Sequence, residues 1–251
     1  MSQADRQRLS AIAHADSPVW GPLSESTVAG LAERLRSAGI GRESRVLDLG
    51  CGIAELLRRV CEATGASGIG VDASPFAIEA ARRRLAASPA RDRIQLRLDD
   101  VTALGPDASQ DLVICIGPGW DSGGWTSLTG WAARFATTHG HLLLAETAWR
   151  AHPPAEALAR LGLTADAYIL TADVRDAVAA AGVEVDWVHR SNDEEWAAYA
   201  GAYRGALRQF ARDHPGDPLV PAVRDRAEAG WSQYELLHEL LDFVLVLART
   251  A

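Results

Sequence analysis

Short apolar runs alternate with stretches of helical spacing along most of the chain, and this alternation predicts the architecture before any single residue is considered. Residues 24–38 repeat apolar positions at helical intervals and stop at Gly39, a residue suited to ending a helix. Residues 45–49 read as a buried strand, Gly50-Cys51-Gly52 as a turn, and the segment up to about residue 63 as a helix. A second strand is expected at 68–72, a helix at 74–87 opened by Ser74-Pro75, and a third strand at 94–98. The series continues with a strand at 111–116, a helix around 128–137, a strand at 141–146, a helix at 171–181 and a strand at 183–189. The apolar run at 241–248 is the last expected strand.

Near-continuously apolar strands alternating with helices imply an α/β fold, a Rossmann-like parallel sheet covered by helices on both faces. At 251 residues the chain holds one such domain, 1–251, with additions. The expected parts are an N-terminal arm and helix at 1–40, irregular over 1–23, and a core at 41–150. An insertion at 151–170, a helical cap insertion at 190–240 broken at 214–221, and a final strand at 241–251 complete it. A connection as long as 190–240 inside a compact domain usually serves function. Its Tyr199, Tyr203 and Phe210 share one helical face, which suits either a core stripe or a lid over substrate.

Composition then removes several classes of function. The net charge of −8, without any basic block carrying interleaved aromatics, argues against nucleic acid as a partner. None of the 25 basic residues is lysine, which excludes lysine Schiff-base and lysine general-base chemistry. Cys51, Cys61 and Cys115 fit no zinc or disulfide spacing, and no metal site is expected. With neither a leader nor a membrane span in view, the expectation is a cytoplasmic protein without a membrane partner, monomer or homodimer.

The candidate chemistry centres on VLDLGCGIAE, residues 46–55. A strand, a glycine turn and a helix let backbone approach a nucleotide, as in dinucleotide-binding loops. Here, however, Asp48 precedes the turn and Glu55 stands where that fingerprint has a small residue. Two carboxylates disfavour a diphosphate and favour a cationic amine or sulfonium, so the loop reads as a seat for S-adenosylmethionine. Asp72, closing the second strand, is placed to accept ribose hydroxyls, a feature shared with nicotinamide-binding proteins.

The series VLDLGCGIAE, GVDAS, LRLDDV, DLVICIG and HLLLAE resembles the class I S-adenosylmethionine-dependent methyltransferases over residues 45–146. The resemblance implies a seven-stranded, mostly parallel sheet whose last strand is antiparallel. It also implies that Asp48, Gly50 and Gly52 line the methionine end, Asp72 with Ala73 the ribose, Asp100 with Val101 the adenine, and Ile116 the transferring methyl. The segment after the fourth strand, IGPGWDSGGW, departs from the Asn/Asp-Pro-Pro-aromatic signature of enzymes that methylate exocyclic base amines or glutamine amides, which disfavours that subclass.

Ligands in such sheets occupy the crevice beyond the carboxyl ends of the strands. Trp20, Trp120, Trp125 and Trp149, with Tyr203 from the cap, are therefore the expected substrate-binding residues for a small molecule, aromatic or apolar in part. Trp131, Trp187 and Trp196 read as structural. Where the acceptor must lose a proton, Glu146 is the first candidate base, His14 the second and His152 the third. Two other readings stand beside methyl transfer: binding of the cofactor without methylation, and nicotinamide-dependent oxidoreduction, the latter disfavoured by Glu55 and by the missing lysine.

Overall fold

The computed structural model describes residues 1–117 and 123–251. Seven strands form one sheet: β1 (Arg45–Leu49), β2 (Ser67–Asp72), β3 (Ile94–Leu98), β4 (Gln110–Ile116), β5 (Ala136–Trp149), β6 (Val183–Arg190) and β7 (Leu241–Thr250). Their spatial order is β3-β2-β1-β4-β5-β7-β6, with β7 antiparallel to both of its neighbours and the other pairs parallel. The order reverses direction at β1 and β4, and such a switch point opens a crevice at the carboxyl ends of the strands.

Helices α1 (Gln3–Ala13), α2 (Glu25–Ser37), α3 (Glu55–Thr64), α4 (Pro75–Leu85) and α5 (Gly124–Ala133) belong to the first half of the chain. They are followed by α6 (Ala155–Leu161), α7 (Val174–Ala179), α8 (Asp193–Asp213) and α9 (Val220–Leu237). Alternate strand residues feed two apolar clusters, one on each face of the sheet. Val46, Ile114, Leu143 and Leu245 pack against Leu31, Leu35, Leu57 and Val60 of α2 and α3. Leu47, Val113, Leu142, Leu144 and Val246 pack against Leu128 and Ala132 of α5 and Val174 and Val178 of α7. A third cluster, Leu9 and Ala13 with Leu207, Ala211, Leu219, Val220 and Val223, joins α1 to α8 and α9 and forms the cap.

Three expectations need correction. The arm at 1–23 contains α1, whose Ser2 and Asp5 form a reciprocal capping box; its few apolar residues face the cap, so the sequence around it looks polar. The helix expected at 128–137 is α5 at Gly124–Ala133 and ends earlier than expected, because Ala136 already pairs with Gln110 as the first residue of β5. Strand β5 also runs past 146, since its antiparallel pairing with β7 continues from His141 opposite Arg249 to Trp149 opposite Leu241.

Helix α3 lies so close to β2 that a Cβ on Gly68 would stand 2.7 Å from Leu57 Cδ1 and 3.0 Å from Cys61 Sγ. Gly68→Ala should therefore destabilise the fold by about 1–3 kcal/mol through overpacking. Urea denaturation would show this as a lower midpoint, and an unchanged midpoint would mean that α3 can retreat from the sheet.

Candidate active site

The glycine turn is held by backbone geometry. The N–H groups of Gly50 and Cys51 both donate to the Val71 carbonyl at 2.9 Å, locking the exit of β1 to the end of β2. Asp72 completes the lock: one carboxylate oxygen accepts from the Gly52 N–H at 2.9 Å and the other from the Ser74 N–H at 2.7 Å. Gly52 has φ +53°, and a Cβ there would stand 3.0 Å from the Trp20 ring. Both the backbone angle and the close approach of Trp20 favour glycine at this position.

Beyond this turn lies a cavity of about 800 Å³, within the range of about 300–1,000 Å³ usual for small-molecule sites. Asp48, Gly50, Gly52, Asp72, Ala73, Asp100, Val101 and Ile116 all border it, so the structure gathers every residue expected to hold the cofactor. The cavity spans the carboxyl ends of β1, β2 and β4 and is roofed by α1 and α8, which contribute Gln7, His14, Trp196 and Tyr199. Gln7 also donates to the Ala73 carbonyl at 3.1 Å, which brings α1 against the end of β2.

The carboxylates of the site differ sharply in environment. Asp48 is buried, and no hydrogen bond or ion pair reaches it among the described residues. Burial, with Asp72 adding repulsion, pushes its carboxyl up to about 8. Burial also raises Asp72, against the two amides that favour its charged form. Asp100 is exposed and lowered by hydrogen bonds from Thr102. Glu55 does not share the role expected for it: Arg58 and Arg59 bond its carboxylate at 2.6 and 2.7 Å, and Arg84 lies at 3.6 Å. Burial alone would raise Glu55, but these arginines outweigh it and hold the carboxyl low. Among the described residues, the cavity carboxyl with neither a hydrogen-bond donor nor a cation is therefore Asp48.

The other end of the cavity is aromatic. His14 stacks on Trp20 with ring centroids 4.6 Å apart, its Nε2 lies 2.8 Å from the Tyr199 hydroxyl, and Trp196 and Phe243 border the same space. Trp20 and His14 thus stand where the sequence places them. Trp125 does not: it is buried in the cluster beneath α5. Trp149 is also interior, with its indole N–H bonded to the Ala165 carbonyl at 2.9 Å and its ring edge-on to Tyr168. Tyr203 stands behind His14, edge-on at 5.1 Å, and accepts from Arg226 at 2.8 Å. Trp120 lies outside the described residues.

Glu146, the first candidate base, is likewise displaced. Side chains alternate along β5, so Glu146 shares the face of Leu144 and Ala148, whereas Thr147 borders the cavity. Its carboxylate accepts from the Thr147 N–H at 2.7 Å and is raised by burial. His152 is exposed and does not border the cavity either. Sequence reasoning missed Trp196, read as structural, and Phe243, in a strand whose apolar residues are otherwise core. Tyr199 was visible only as part of a helical stripe. Among the described residues no cluster of His, Cys, Asp or Glu suits a metal ion, and no helix is long and apolar enough to cross a membrane.

Residues 46–139 match a family described as a methyltransferase domain. The chain is 26% identical over 222 residues to the uncharacterized protein YjhP of Escherichia coli, covering 88% of each. It is 35% identical over 102 residues to the indolepyruvate C-methyltransferase of Streptomyces griseus, 38% of this chain and 28% of that one. A crystal structure of a SAM-dependent methyltransferase from Geobacter sulfurreducens, in complex with S-adenosyl-L-homocysteine, superposes with a TM-score of 0.88. Identity there is 23%, over 97% of this chain and 98% of the other. Residues 46–139 are thus similar to a methyltransferase domain, and the chain shares the seven-stranded fold of the S-adenosylhomocysteine-bound methyltransferase structure.

Proposed function

We propose that this protein binds S-adenosylmethionine at the carboxyl ends of β1 to β4 and transfers its methyl group to a small molecule held in the aromatic end of the same cavity. The observation that carries the reading is Asp48, a buried carboxyl facing the cavity with no cation of its own. A ligand bearing an ammonium or sulfonium would supply that cation, whereas a pyrophosphate would face an unbalanced acid. The bound product in the Geobacter sulfurreducens structure supports the choice of cofactor.

Bound S-adenosylmethionine supplies a methyl group activated by its attachment to a positively charged sulfur. The chain supplies binding and orientation, which are the main protein contributions to an in-line displacement. Each Asp72 oxygen accepts one backbone N–H and retains a lone pair for a ribose hydroxyl. Asp100 and the Val101 amide border the space suited to an adenine. Ile116, between the two ends, is suited to hold water away from the transferring group. The roof of α1 and α8 favours an acceptor small enough to be enclosed, aromatic or apolar in part.

Calorimetry should register binding of S-adenosylmethionine and S-adenosylhomocysteine but not of NADH; binding of NADH alone would overturn the reading. Asp48→Asn should weaken S-adenosylmethionine by about tenfold or more, equivalent to roughly 1.4 kcal/mol. A variant with wild-type affinity would mean that Asp48 does not face the cofactor's cation.

The unliganded protein should also lose stability as pH rises. A carboxyl raised on folding keeps a proton that the unfolded chain has already released. Its contribution is therefore full below the ordinary carboxylate range and drains as pH climbs toward about 8. Buried neutral His14 opposes this loss below about pH 6.5, so thermal unfolding between pH 6.5 and 8 should show the melting temperature falling, and Asp48→Asn should flatten the slope. A variant slope equal to that of wild type would remove Asp48 as its cause.

A further inference from the structure

His14 and Tyr199 meet from distant parts of the chain. His14 caps the carboxyl end of α1, and Tyr199 stands on the second turn of α8. The hydrogen bonds fix the protonation pattern. His14 Nδ1 lies 2.7 Å from the Ser10 carbonyl, which can only accept, so Nδ1 carries the proton. Nε2 is then an acceptor, and at 2.8 Å the Tyr199 hydroxyl donates to it. The lone pairs of the Tyr199 oxygen stay free, and the oxygen is made more basic by the bond it donates. Trp20, stacked on the imidazole and lying against Gly52, ties the pair to the glycine turn.

Resting on the methyltransferase reading above, we propose that Tyr199 takes a proton from the methyl acceptor and passes its own to His14. The acceptor atom would then be one that starts protonated, a hydroxyl or an N–H on an aromatic or apolar small molecule. As the acceptor's lone pair bonds to the methyl carbon, the carbon–sulfur bond breaks and its electron pair stays on sulfur. The acceptor proton moves to the Tyr199 oxygen, the Tyr199 proton moves to His14 Nε2, and the ring becomes imidazolium. Tyr199 is the catalytic residue here, and His14 acts through it.

Charge bookkeeping gives the relay its timing. The cavity begins with one positive charge on sulfur and ends with one on the imidazole, so the interior gains no net charge. Before the transfer His14 resists protonation: burial, against the opposing Ser10 carbonyl and with a smaller push from Arg226 of α9, lowers it to about 4. The other groups around the ring are Trp20, Tyr199 and Tyr203, all uncharged, and burial keeps the Tyr199 hydroxyl protonated. Loss of the sulfonium charge removes one source of repulsion, so His14 becomes a better base as the methyl leaves.

The test is nitrogen NMR of the histidine rings in the full-length protein loaded with S-adenosylmethionine or S-adenosylhomocysteine. The Nδ1–H tautomer is expected in both complexes, with His14 titrating about one pH unit higher in the second. Equal values in two occupied complexes would overturn the relay alone. Absence of binding heat from both ligands would overturn the methyltransferase reading, and the relay with it. In Tyr199→Phe, its fold checked by thermal unfolding, the Nε2 resonance should move to that of an imidazole nitrogen without a hydrogen bond. An unmoved resonance would show that Tyr199 is not the donor and would overturn the proposal. His14→Gln serves as the assignment control.

Discussion

Asp48 is buried at the end of β1 beside Asp72, with no cation among the described residues to balance it, and an isolated charge in such a place would cost several kcal/mol. The fold meets that constraint by raising the carboxyl to about 8, so that it holds its proton in the unliganded protein. Its surroundings are consistent with this. Asp72 spends its acceptors on the Gly52 and Ser74 amides, and the nearby arginines Arg58, Arg59 and Arg84 are engaged by Glu55. Glu55 therefore commits its charge to these guanidinium groups and leaves none for the cavity.

The cap is attached to this core by polar contacts as well as by its own apolar cluster. Glu195 in the first turn of α8 receives the Ser24 N–H at 2.7 Å and the Thr27 hydroxyl at 2.6 Å, both at the start of α2. It also completes a capping box with Asn192. Arg8 of α1 pairs with Asp217 between α8 and α9, and Arg150, held by buried Asp242 of β7, also pairs with Asp193 at the start of α8. The three helices of the cap are thus fastened to one another and to the core, while α1 and α8 face the cavity. Such an arrangement can enclose a ligand without a continuous covalent rim.

The sheet was legible in the sequence because buried parallel strands are apolar throughout, and the turn because glycine, Asp48 and Asp72 stand at fixed offsets from strand ends. Side-chain direction was not legible to the same degree. Glu146 was assigned to the end of a strand that in fact continues to Trp149, and that extension depends on pairing with β7 almost a hundred residues later. Trp125 lies near the site in sequence but is buried in the cluster on the other face of the sheet. Trp149, though on the strand face of Thr147, is taken up by the Ala165 carbonyl and the Tyr168 ring. Helix α1 was hidden because the surface that buries Leu9 and Ala13 belongs to α8 and α9, not to the sheet. In each case the missing information is a tertiary partner, which local spacing does not carry.

The same reasoning separates the two ends of the cavity. The acidic end is built from residues at the tips of neighbouring parallel strands, so strand register fixes their relative positions and a sequence motif can record them. The aromatic end is assembled from α1, the segment before α2, α8 and β7, elements that meet only after the cap has docked. Trp20 is the link between them, with one face near Gly52 and its ring stacked on His14. A ligand that displaces Trp20 from the glycine turn must also disturb the imidazole that Tyr199 engages. The glycine turn and the imidazole are therefore linked through a single indole ring.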